Sequence, residues 1–192
     1  TKLDGSDYKV ILSQNADPDL GTAVYSLATS GEDNLLFRHQ HYGPGGPINN
    51  TGIYRSDLNG NGFTRMQGNG ATLQVFYAHD MEVDPLANKL YYTNSVDFNG
   101  LRRMNFDGTN IETIYNSLPN APGLNIALDV ANNRLFLSQS GDDPGDQTVI
   151  KQMTLDGQNQ TVILAEGILD EGVRFDDIQI EDIEYDGGSM LY

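Results

Sequence analysis

Four carboxylates stand in two matching stretches: Asp80 and Glu82 in "HDMEVD" (79–84), Asp182 and Glu184 in "EDIEYD" (181–186). The acids alternate with apolar residues, Met81 and Val83 in one stretch and Ile183 and Tyr185 in the other. In an extended strand that alternation puts both acids of a pair on one side. Carboxylates brought together without a counter-ion repel, which raises their pKa values or recruits a cation. Oxygen-only ligands suit calcium or magnesium. The expectation is a metal site of Asp80, Glu82, Asp182 and Glu184, with Ca2+ in a central channel lined by these strands. A second reading stays open, in which the same carboxylates bond to main-chain groups or stay wetted. The counterparts of Asp80 and Glu82 in the other units are read as Asn125 and Ala127, and as Val24 and Ser26. Asp84, Asp129 and Asp186 are expected to tie turns.

Other constellations carry weaker chemistry. "DDPGD" (142–146) bunches carboxylates, among them Asp143 and Asp146, without the spacing of an EF-hand loop. His39 and His41 lie on one side of an extended stretch, with no third ligand nearby in sequence. There is no G-x-S-x-G, P-loop or H-E-x-x-H pattern. Cysteine is absent, so thiolate chemistry, disulfides and zinc–thiolate sites are excluded. Tyr42, Tyr54 and Tyr77 fall near loops and are candidates to stack on a sugar or an extended apolar ligand. Tyr91, Tyr92 and Phe136 are expected to fill space between packed sheets.

Net charge is −16, from 27 acids against 11 Lys and Arg, and repels phosphate backbones. Nucleic acid is therefore not an expected partner. No apolar run approaches the ~18–20 residues of a membrane span. No secretory signal is present, an absence that cleavage would also produce. Sequons at Asn49 and Asn159 would suit a secreted chain.

The elements that must position these residues are set by a repeat. "TKLDG" (1–5), "SDLNG" (56–60), "MNFDG" (104–108) and "MTLDG" (153–157) end in glycines at 5, 60, 108 and 157, spaced by 55, 48 and 49 residues. Such a period fits a four-stranded blade with variable loops. One unit runs "HDMEVD", "NKLYYTN", "GLRRMNF", the DGTN turn and "IETIY". The next runs "NIALDV", "NRLFLSQ", "VIKQMTL", DGQN and "QTVILA". An earlier unit runs "AVYSLA", "NLLFRHQ", "GIYRSDL", NGNG and "FTRM". The expected fold is an all-β propeller in one domain over 1–192. Blades fall at 21–67, 74–116 and 123–167; residues 1–12 give the last two strands of a blade and 173–192 the first two.

The stretch "MEVDPLANKLYYTNSVDFNGLRRMNFDGTNIETIY" resembles a class B repeat of the low-density lipoprotein receptor, the YWTD β-propeller repeat. The resemblance is strongest over 79–164. The family's Tyr-Trp-Thr-Asp becomes "YYTN" at 91–94 and "FLSQ" at 136–139, and tryptophan is absent. The family usually has six blades and this chain holds about four units. Two arrangements stay open: a closed four-bladed ring completed by residues 1–12, or part of a six-bladed ring completed by another chain.

Antiparallel succession puts first–second and third–fourth turns at one end, and second–third loops and blade connectors at the other. The long stretches 13–22, 41–52, 140–148 and 166–177 all belong to that second end. Variable loops on a rigid scaffold are where binding concentrates. The resemblance implies a secreted or extracellular protein that recognises a protein or other ligand on the loop-rich face, without catalysis. Two alternatives remain: a small-ligand carrier or lectin with a Tyr-lined pocket, and a metal-dependent propeller hydrolase.

Overall fold

A computed structural model describes residues 23–30, 34–40, 52–66, 78–94, 100–116, 124–139 and 149–165. They form three four-stranded antiparallel sheets, each meandering in chain order. Blade A comprises β1 (Ala23–Ser30), β2 (Asn34–Gln40), β3 (Gly52–Ser56) and β4 (Thr64–Arg65). Blade B comprises β5 (Ala78–Asp84), β6 (Lys89–Asn94), β7 (Gly100–Asn105) and β8 (Glu112–Asn116). Blade C comprises β9 (Leu124–Asp129), β10 (Arg134–Gln139), β11 (Val149–Met153) and β12 (Thr161–Ala165). β5 packs beside both β1 and β9, so the first strands lie together and the sheets fan outward from them. That is the β-propeller arrangement expected from the repeat. Residues 1–12 and 173–192 lie outside the described residues.

Both faces of blade B are buried. One face meets blade A through Ile53, Met66, Met81, Leu90, Tyr92, Met104 and Phe106. The other meets blade C through Tyr91, Leu101, Ile126, Leu135, Leu137 and Met153. Successive residues Leu90, Tyr91 and Tyr92 are at most 1% exposed because neighbouring blades cover opposite sides of their strand. Burial on both sides explains the unbroken apolar runs of the second strands, and each such side chain contributes about 1.5–3 kcal/mol. Tyr91 and Tyr92 fill inter-blade space, as their positions on the second strand predict, and Phe136 is buried.

The repeated glycine does more than turn the chain. In all three blades a third–fourth turn closes with its N–H on the carbonyl three residues back: Gly60 to Asp57, Gly108 to Asn105, Gly157 to Thr154. Gly108 and Gly157 each have φ of +81°. A Cβ on Gly108 would collide with the main-chain oxygen of Met66, and one on Gly157 with that of Ile114. Met66 and Ile114 hold the same place after β4 and on β8, in the preceding blade. The turn of one blade is thus pressed onto the outer backbone of the blade before it. Arginine completes the joint: Arg55 donates to the Phe106 carbonyl at 3.3 Å, and Arg103 to that of Leu155 at 3.2 Å.

Gly108→Ala should combine a left-handed φ, costing about 1–2 kcal/mol, with overpacking of about 1–3 kcal/mol. The expected fall in Tm is on the order of 10 °C. Gly62→Ala is the control: Gly62 has φ of +65°, but a Cβ there would meet nothing within 4 Å, so only a few degrees should be lost. Equal shifts in a thermal melt would contradict the inter-blade role of Gly108.

Candidate functional site

Asp80 of the first strand faces a neighbouring blade, because side chains stand on the sheet's faces. Asp80 Oδ2 accepts from the Ile126 N–H of β9 at 2.7 Å, and Oδ1 from the Met81 N–H at 2.8 Å. The Asp80 N–H donates to Thr93 Oγ1 at 3.0 Å. Asp80 therefore ties blade B to blade C at the inner strands. Glu82 is half-buried opposite Tyr91. Among the described residues no trio of His, Asp and Glu is placed to hold a metal ion. Asp182 and Glu184 lie outside the described residues, as do Asp143, Asp146, Tyr42, Tyr77, His41 and Asp186. His39 is placed on β2.

Register corrects two expectations. β1 pairs Ser30 with Asn34 where β5 pairs Asp84 with Lys89, so Leu27 pairs with Phe37 as Met81 pairs with Tyr92. The blade A counterparts of Asp80 and Glu82 are therefore Ser26 and Ala28, not Val24 and Ser26. Tyr54 is not a loop residue. It lies within β3, 5% exposed, its ring stacked on Phe63 with centroids 5.0 Å apart. That face is packed, so Tyr54 is not offered to a sugar. Asp84 and Asp129 do tie turns: Asp84 Oδ1 accepts from the Leu86 and Ala87 N–H groups. Asp129 accepts from the Asn132 N–H and, at 2.8 Å, from Arg134 Nε.

The two ends of the fan differ in kind. At one end the turns are closed on themselves. Asp57 Oδ1 accepts from the Asn59 and Asn61 N–H groups, and Asp107 Oδ1 from Thr109 N–H and Oγ1. The Thr109 hydroxyl holds the exposed Asp107 carboxyl below the usual carboxylate range, and Thr154 does the same for Asp156. At the other end β2, β6 and β10 finish and β3, β7 and β11 begin, so connections 41–51, 95–99 and 140–148 depart and return there. The blade connections 67–77 and 117–123 share that end.

A polar cluster that no sequence spacing announces marks this end of the B–C groove. Lys151 Nζ donates to Tyr115 Oη at 2.6 Å and to Gln139 Oε1 at 3.4 Å, and Tyr115 Oη donates to Gln139 Oε1 at 3.1 Å. The ammonium lies 4.8 Å from the Tyr115 ring centroid, an additional cation–π attraction. Gln139 ends β10 and Lys151 lies near the start of β11, so the cluster flanks connection 140–148 on both sides. The three residues sit on three different strands, far apart in the chain, which leaves no local pattern to detect. At the turn end of the same groove, Arg103 Nε donates to Glu112 at 2.8 Å and its Nη1 to Tyr91 Oη at 3.3 Å. Arg103 holds the Glu112 carboxyl below its usual range.

The buried Tyr92 hydroxyl has no hydrogen-bond partner. Burial pushes its pKa up to about 12, against a smaller pull from the nearby Arg102 guanidinium. The pull reports proximity; the guanidinium does not meet hydrogen-bond geometry with the hydroxyl. A raised folded pKa contributes stability that is full below the unfolded value near 10 and is lost as pH rises through about 12. Tyr92→Phe should unfold at higher alkaline pH in a circular-dichroism titration and retain or gain about 1 kcal/mol at neutral pH. A loss beyond about 1 kcal/mol at neutral pH would show a hydrogen bond that the geometry lacks. Asp80→Asn retains the shape but aims an N–H₂ group at a main-chain donor. It should cost about 1–3 kcal/mol at any calcium concentration; a loss seen only with calcium present would make Asp80 a ligand.

No protein-family model and no curated protein matches the sequence. Among solved structures, a TolB-like protein from Agrobacterium tumefaciens is similar at 15% identity and a TM-score of 0.55, over 76% of this chain and 50% of that one. The chain thus spans about half the length of that relative. A GH74 xyloglucanase from Xanthomonas campestris is similar at 16% identity and a TM-score of 0.45, over 71% of this chain and 22% of that one. At such identity the TolB-like likeness concerns the fold alone, and the fold is a β-propeller.

Proposed function

We propose that this chain is a secreted or extracellular binding protein that engages a protein ligand with its loop-bearing end and performs no turnover. The observation that carries the reading is the segregation of connections among the described strands: self-bonded turns of at most seven residues at one end, and the three longest connections, 41–51, 67–77 and 140–148, at the other. A scaffold whose blades are fixed by backbone contact can hold variable loops in defined positions. The Lys151–Tyr115–Gln139 cluster fixes the strand ends beside connection 140–148 and places a cation there, in a chain of net charge −16. That cation suits a carboxylate or carbonyl on the ligand.

The finer architecture belongs to the same proposal. It is a YWTD-type ring of four blades, closed by residues 1–12 and 173–192, with Ca2+ as the candidate ion near Asp182 and Glu184. A closed ring predicts a particle of 21.1 kDa in light scattering; a stable multimer would instead support completion by a second chain.

The binding claim is tested on arrays of purified extracellular ectodomains and of glycans. The intact chain is compared with a variant whose 140–148 is replaced by a two-residue Asn-Gly turn. Ectodomain binding should be present and should fall at least about tenfold in the variant, equivalent to about 1.4 kcal/mol. Leu86→Lys and Ala131→Lys, at exposed side chains of the opposite end, should leave it unchanged. Glycan binding alone would convert the reading to a lectin, and ectodomain binding lost through the turn-end variants would contradict it.

A further inference from the structure

Blade A turns from β3 to β4 through Asp57, Leu58, Asn59, Gly60, Asn61 and Gly62, which places two Asn-Gly pairs in succession. In such a pair the main-chain nitrogen of the glycine easily reaches the asparagine carboxamide, because no Cβ stands in the way. Two further pairs occur at 69–70 and 99–100; Asn69, Gly70 and Asn99 lie outside the described residues.

The fold treats the two pairs of this turn differently. The Gly60 N–H donates to the Asp57 carbonyl at 3.0 Å, the bond that closes the turn. Gly62 has φ of +65°, with nothing within 4 Å of the place a Cβ would take. Among the described residues its N–H meets no acceptor. Asn61 is exposed, and its Nδ2 donates to Asp57 Oδ2 at 2.8 Å. Swinging the Asn61 carboxamide onto the Gly62 nitrogen breaks that one exposed side-chain bond and leaves the turn closed. The same movement at Asn59 must open the turn itself.

We infer that Asn61 is a site of spontaneous deamidation and that the fold protects Asn59 from it. The Gly62 nitrogen loses its proton to solvent base and attacks Asn61 Cγ. A bond forms between that nitrogen and Cγ, the Cγ–Nδ2 bond breaks, and ammonia leaves with a proton taken from water. The cyclic imide then adds one water molecule and opens at either carbonyl, to aspartate or to isoaspartate with an extra carbon in the main chain. Water is consumed and ammonia released; nothing is oxidised or reduced.

The two positions differ in what conversion would do. Asn59 stands where the other turns carry Asp107 and Asp156, so an aspartate is already accommodated there. At Asn61 conversion removes the donor to Asp57 and sets two carboxylates against each other. That turn leads through β4 to Met66, on which Gly108 rests. Deamidation therefore loosens blade A from blade B as the molecule ages, whatever the loop-bearing end binds.

Mass spectrometry of the full chain, aged in mildly alkaline buffer made with heavy-oxygen water, reads each site, since every conversion incorporates the label. Asn61 should convert about fivefold faster than Asn59, the weight of one main-chain hydrogen bond. The two rates should converge in denaturant. Gly62→Ala should slow Asn61 and leave Asn59 as it was. No conversion at Asn61, a rate at Asn59 equal to or above it in the folded chain, or a preference that persists in denaturant would overturn the inference. In fresh protein Asn61→Asp should lower Tm by about 2–4 °C, and Asn59→Asp should lower it less. Equal melts would overturn the link to the blade joint.

Discussion

Backbone-to-backbone contact between adjacent blades governs this structure. A glycine at positive φ in one turn lies so near the carbonyl of Met66 or Ile114 that no side-chain carbon fits between them. The contact fixes how far apart two sheets sit at their outer strands, and the apolar residues between them fill the gap so defined. At the inner strands the Asp80 carboxylate plays a parallel part, bonding the Ile126 N–H of the next blade. Apolar burial supplies most of the free energy between blades; these polar contacts choose the geometry. Exposed ion pairs add little, and the Arg103–Glu112 pair, whose carboxylate is 39% exposed, is worth at most about 1 kcal/mol. Because Arg103 depresses the Glu112 pKa, that contribution is present above the unfolded carboxylate range and is lost as pH falls through the folded value.

Fixed blades give the two ends different uses. The turn end closes its donors and acceptors on itself and leans on neighbours, so a change there disturbs the scaffold. The opposite end collects the connections that the scaffold does not constrain in length. Between them run grooves packed with Leu, Tyr and Met, with polar groups gathered at the mouths: Lys151, Tyr115 and Gln139 at one, Arg103, Tyr91 and Glu112 at the other. Both the fold and the proposed binding role therefore rest on one fact, that the sheets are fanned side by side.

The strand quartets and their order were legible in the sequence, because first strands alternate, each second strand carries three consecutive apolar residues, and each third–fourth turn carries Asp-Gly or Asn-Gly. Tyr91 and Tyr92 were legible as inter-blade residues for the same reason. The register of β1 was not, since Ser30 and Asn34 pair with three residues between them where Asp84 and Lys89 have four, and residue types do not show that difference. The partner of Asp80 was hidden because it is a main-chain N–H, which every residue but proline carries. Glycine repetition showed a turn, but its second duty depends on Met66 and Ile114, residues of another blade. The Tyr115–Gln139–Lys151 cluster was invisible because fan geometry, and not sequence distance, brings the three together.

Nuclear Overhauser spectroscopy measures the central contact most directly. Strong cross-peaks are expected from the Gly108 α-protons to the Met66 α-proton, and from the Gly157 α-protons to the Ile114 side-chain methyl that lies 3.0 Å from the position a Cβ would take. Their absence, with cross-peaks joining the outer strand of blade B to a strand other than blade C's turn, would contradict the fanned arrangement and everything that depends on it.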